Sequence, residues 1–81
     1  MITLDKCAIG VKYIVMEIVN FDPRGLEIFF SFNIKKNSII TLENKSLFGL
    51  LLKASVSSEV DYISFMIHKK DAKNILVQKY E

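Results

Sequence analysis

Cys7-Ala8-Ile9-Gly10-Val11-Lys12-Tyr13-Ile14-Val15-Met16-Glu17-Ile18-Val19-Asn20-Phe21 is the stretch on which the fold turns, because it satisfies two periodicities at once. Ile9, Tyr13, Met16 and Val19 or Asn20 recur at helical spacing, and Val11, Ile14, Val15 and Ile18 widen that stripe. The same run is rich in β-branched side chains, which are stiff at χ1 and suit a strand equally well. Length tips the reading to a helix over residues 7–21: a run of about 13 to 15 residues exceeds the usual strand of roughly 5 to 6 and fits a buried helix.

Working outward, Asp22-Pro23-Arg24-Gly25 closes that segment with a turn. Beyond it the period becomes two. Leu26, Ile28, Phe30, Phe32 and Ile34 share one face and Glu27, Phe29, Ser31 and Asn33 the other, as in a half-buried strand. Lys35-Lys36-Asn37-Ser38 supplies a polar turn and Ile39 to Leu42 a short partner strand, so a hairpin is expected. Ser46, followed by Leu47, Leu50, Leu51 and Ala54, reads as the N-cap and apolar stripe of a short helix that ends in Ser55 to Ser58. Glu59 to Ile67 reads as a strand whose two faces are both apolar enough to leave the inner one open. Asp71 opens a last helix with its stripe at Ala72, Ile75, Leu76 and Tyr80, and Ile2 to Asp5 can form a first short strand. The order (β)αββαβα predicts an α+β open-faced sandwich: an antiparallel sheet with helices packed on one face.

Composition bounds the function. The 81 residues make a single domain, residues 1–81, with 51% hydrophobic and 25% charged side chains, too apolar for a disordered tail. A net charge of +2 gives no general reason to favour nucleic acid. No apolar run approaches the roughly 20 residues of a membrane span, and the N-terminus lacks a signal-peptide pattern, so a cytoplasmic protein with no membrane partner is expected. The one cysteine, Cys7, cannot form an internal disulfide, and with the one histidine, His68, it cannot make a four-ligand zinc site. There is no phosphate-binding glycine loop and no metal-spaced carboxylate pair. Neither a metal nor a cofactor is expected, nor an enzyme.

Lys45-Ser46-Leu47-Phe48-Gly49-Leu50-Leu51, placed after the expected hairpin, resembles the regulatory-serine region of the histidine-containing phosphocarrier (HPr) family. Glu59-Val60-Asp61-Tyr62-Ile63-Ser64 is similar to the following strand of that family, and Asp71-Ala72 to the start of its final helix. The resemblance implies an HPr-like fold. It also implies a carrier motif of Gly-(Leu or Ile)-His-Ala-Arg-Pro, which this chain lacks: Cys7-Ala8-Ile9-Gly10 stands at that place, with Cys7 at the position of the missing phospho-histidine.

The expectation is therefore a non-catalytic, HPr-like regulatory or interaction module of the sugar phosphotransferase system that cannot carry phosphohistidine. The resemblance further implies phosphorylation at Ser46 and a docking patch of Leu47, Phe48 and Leu51 for a protein partner, a regulator or kinase of that system. Phe48 is expected as the exposed anchor and Leu50 as core. The plainer reading of Ser46 is a helix cap. Two rival readings stay open: an α+β interaction domain of an unrelated family, oligomeric because of its apolar surplus, and a thiol protein working through Cys7 at a helix N-terminus. A homodimer is part of the first.

Overall fold

Val15 and Val77 sit directly opposite each other, both fully buried, and their pairing resolves the ambiguous stretch as a strand. The computed structural model describes residues 1–19, 34–46, 48–57 and 62–80. Along the chain these form β1 (Ile2–Thr3), a 3-10 turn (Leu4–Lys6), β2 (Lys12–Ile18), β3 (Ile39–Ser46), β4 (Leu51–Ser57), β5 (Tyr62–His68), a single helical turn α1 (Lys69–Ala72) and β6 (Ile75–Lys79). The strands make one sheet in the order β1-β6-β2-β3-β4-β5, every pairing antiparallel.

That sheet is curled. On a flat sheet β5 and β6 would lie four strand spacings apart, roughly 19 Å at about 4.8 Å each. The link between them is residues 69–74 and contains the turn α1. With four residues rising as helix, it reaches only about 16 Å. The two halves of the sheet must bend toward each other, and α1 lies against both β5 and the 3-10 turn. Leu4 and Ala72, one from each short helical piece, are fully buried at that closure.

The interior is built by alternation. Tyr13 and Val15, Ile40 and Leu42, Leu52, Ala54 and Val56, Phe65 and Ile67, and Ile75 and Val77 all face inward and are buried. Complete burial of a Leu, Ile or Val side chain stabilises by about 1.5–3 kcal/mol, so this inner face is the main source of stability.

The expected α+β sandwich is thus corrected to a nearly all-β fold, and the causes are local. In β2 the register shifts between Val15 and Glu17, so Met16 is an extra, bulged residue and Ile18 rather than Glu17 follows Val15 toward the core. An inward spacing of two, then three, looks like a helical stripe in sequence. The helix expected from Ser46 to Ala54 is instead a hairpin: Ser46 ends β3, Leu51 starts β4, and the two are paired. The helix expected from Asp71 is one turn, with Asp71 inside it rather than capping it, followed by β6. Central placement between β1 and β2 overrides the helical spacing of Ile75 and Leu76. The strand expected over 59–67 runs Tyr62–His68, with Phe65 and Ile67 inward. The strand expected over 26–34 lies outside the described residues except for Ile34, which is fully buried.

Candidate functional site

The β3–β4 hairpin carries the sequence segment that drew attention as a helix, and its geometry is that of a projecting tip. Ser46 pairs with Leu51 at its base, where the Ser46 hydroxyl donates to the Leu51 carbonyl oxygen at 3.3 Å. The Gly49 N–H closes the turn on the Ser46 carbonyl at 3.0 Å. Gly49 has φ +81, a conformation open to glycine at no steric cost. Phe48 has φ 59, the left-handed region that L-residues seldom enter. Its side chain is fully exposed at 103%, and Leu50 is 61% exposed.

A strained backbone beneath a fully exposed aromatic ring gains nothing from packing. Phe48→Gly is accordingly expected to raise stability by about 0.5–1 kcal/mol, relief of the left-handed cost less glycine's extra freedom in the unfolded chain. Denaturant titration would show it. A lower midpoint than the native chain would mean that the ring contributes to the fold.

Basic side chains stand around the tip. Lys45 is exposed on β3 beside Ser46. His68 pairs with Leu51, and the Lys69 N–H donates to the Leu50 carbonyl at 2.9 Å, so the start of α1 is fastened to the hairpin end. His68 and Lys70 are exposed and Lys69 half-buried.

Below the tip, a polar cluster crosses the outer face of β3, β4 and β5. Glu43 accepts hydrogen bonds from the Tyr62 hydroxyl and, at 3.3 Å, from Ser64 Oγ, while Lys53 Nζ lies 3.8 Å from its carboxylate. The Tyr62 hydroxyl is the main cause holding the Glu43 carboxyl below the usual range; burial, the next largest, opposes it, and Ser55, Ser64 and Lys53 add to the lowering. This carboxylate is occupied on both oxygens. It ties three strands together.

Cys7 follows the 3-10 turn and is buried, its thiol directed at the Thr3 carbonyl at 3.8 Å. Burial, reinforced by nearby Asp5 and opposed by Lys45, pushes the thiol up to about 12. A reactive cysteine requires the opposite shift, so burial and charge here both work against the thiol reading. Cys7 is not at an α-helix N-terminus, and the correspondence with a missing phospho-histidine disappears with the helix. Among the described residues, no group of three or more His, Cys, Asp and Glu could hold a metal ion.

Of the expected docking patch, Phe48 is exposed at the tip, Leu51 is half-buried at the head of β4, and Leu47 lies outside the described residues. Ser46 is a strand residue, not a helix cap. Leu50, expected in the core, is exposed. Lys69 and Lys70 were legible only as a loop's charge, and Glu43 and Tyr62, 19 residues apart in sequence, had no signal that joined them. Phe48-Gly49 read as a turn dipeptide between two alternating runs would have disclosed the hairpin.

A curled antiparallel sheet with one helical turn at its closure defines an SH3-like barrel. The solved structures it is similar to carry more particular names. One is an FeoA-like protein from Clostridium acetobutylicum, 24% identical over 96% of this chain and 85% of that one, TM-score 0.77. Another is an iron uptake regulatory protein, FeoA, 22% identical over 98% of this chain and 96% of that one, TM-score 0.77. A third is a manganese-dependent transcriptional repressor complexed with manganese, 23% identical and TM-score 0.87, where the likeness covers 98% of this chain but 36% of the repressor. No family model matches the sequence, and no curated protein does. Likeness at these identities establishes the fold, which is FeoA-like and SH3-like. The HPr-like fold and its phosphotransferase role are overturned by it, and the resemblance that implied phosphorylation at Ser46 goes with them.

Proposed function

We propose that this protein is an FeoA-like accessory module of cellular iron uptake that works by contact and not by catalysis. The observation that carries the reading is the match to the iron uptake regulatory protein over nearly the whole of both chains. The manganese-dependent repressor contains this fold as about a third of its length. The contact surface is the β3–β4 tip, where Phe48 and Leu50 are exposed above a base held by the Ser46–Leu51 pair. The single, buried, reduced Cys7 suits the cytoplasmic side of the cell.

Deleting the gene in the organism that encodes it is expected to lower uptake of radiolabelled iron, and supplying the native chain in trans to restore it. Supplying Phe48→Gly should not restore uptake, although that variant folds. Unchanged iron uptake in the deletion strain would overturn the reading.

A further inference from the structure

We propose that the hairpin tip is an anchor for an anionic membrane surface, into which Phe48 and Leu50 insert while the surrounding lysines engage lipid phosphates. The proposal rests on the reading of the tip as the contact surface and names what it touches. No helix among the described residues is long and apolar enough to cross a membrane, so the contact is interfacial.

The geometry divides by height. Phe48 and Leu50 lie beyond the last cross-strand pair, Ser46–Leu51, and interfacial apolar groups are buried roughly 5–10 Å into the headgroup boundary. Basic groups flank them: Lys45 beside Ser46, His68 level with Leu51, Lys69 fastened to Leu50, and Lys70 next along α1. Long lysine stems let the charge stay at the phosphate level while the apolar residues go deeper. Glu43 is engaged by Lys53 and Tyr62, and Lys45, Lys69 and Lys70 stand with two acidic residues at this end, Asp71 within α1 and the buried Asp5 of the 3-10 turn against it, so the exposed charge is mainly basic.

The exposed apolar groups Phe48 and Leu50 are flanked by Lys45 on β3 on one side and by the end of β5 and the start of α1 on the other. That arrangement fits a plane of lipid headgroups better than a groove with an acidic wall on one side.

The test is co-sedimentation of the full chain with vesicles of phosphatidylcholine alone, or containing about 30% phosphatidylglycerol. Partitioning is expected to be about tenfold stronger on the anionic vesicles. Phe48→Gly, which keeps the fold, and Leu50→Ser should each lose most of it. Lys45→Gln with Lys70→Gln should reduce binding to the anionic vesicles and leave the neutral ones unchanged. No sedimentation with either vesicle, or equal binding by the native chain and Phe48→Gly, overturns the proposal. If vesicles do not bind while Phe48→Gly still abolishes iron uptake, the tip docks on a protein and the contact reading survives alone. If vesicles bind and the deletion strain takes up iron normally, the anchor stands and the iron reading falls.

Discussion

Leu42→Ala is expected to lower the stability of the domain by about 3 kcal/mol, because it removes a fully buried side chain and leaves a cavity that its neighbours fill only in part. Leu42 pairs with Ala54, itself fully buried, so no large side chain stands opposite to collapse into the space. A domain of this size has about 4–12 kcal/mol in total, and each kcal/mol shifts the thermal midpoint by roughly 4–8 °C. The midpoint should therefore fall by about 12–24 °C in a thermal melt followed by circular dichroism. The neighbouring Thr41→Ala, on the opposite and half-buried face, should shift it far less. Equal losses at the two positions would mean that β3 does not present alternate faces.

Cys7 should label with a thiol reagent at pH 8 about a thousandfold more slowly in the folded chain than in denaturant, since its thiolate is suppressed and its sulfur buried. The same shift predicts a pH dependence. The folded thiol titrates at about 12, above the ordinary 9.0, so the folded state favours the protonated form. Its contribution to stability is whole below pH 9.0 and is lost as the pH rises toward 12. Comparison with Cys7→Ala isolates this from the titration of lysines and tyrosines: the native chain should lose more stability than the variant across that window. Rapid labelling of the folded chain at pH 8 would show that Cys7 is accessible and that the thiol reading must be reopened.

Sequence reasoning recovered the strand character of residues 39–42 and 62–67, where alternation is unbroken and no bulge intervenes. It failed where alternation is interrupted. The extra residue at Met16 turns an inward set of Tyr13, Val15 and Ile18 into something that resembles a turn of helix. A second register shift, between Leu42 and Asn44, places Glu43 on the outer face and breaks the pattern just before the tip. β6 is a strand because of what lies on either side of it, and neither neighbour is near it in sequence. Of the site, Phe48 was legible as an exposed apolar residue because too many apolar side chains are gathered over 47–52 to bury at once. The lysines at its shoulders were not, since only the folded sheet brings the start of α1 to the hairpin end.

The position of β6 also determines when this protein can fold on the ribosome. β2, β3, β4 and β5 are joined in sequence order and can assemble as they emerge, but β1 and the other edge of β2 wait for β6, which follows them by more than fifty residues. β1 thus has no strand partner, and β2 has one of its two, until β6 has cleared the exit tunnel. During that interval β1 and the β6 edge of β2 are open to chaperones and to neighbouring chains, so the nascent protein's exposure is set by how soon β6 follows.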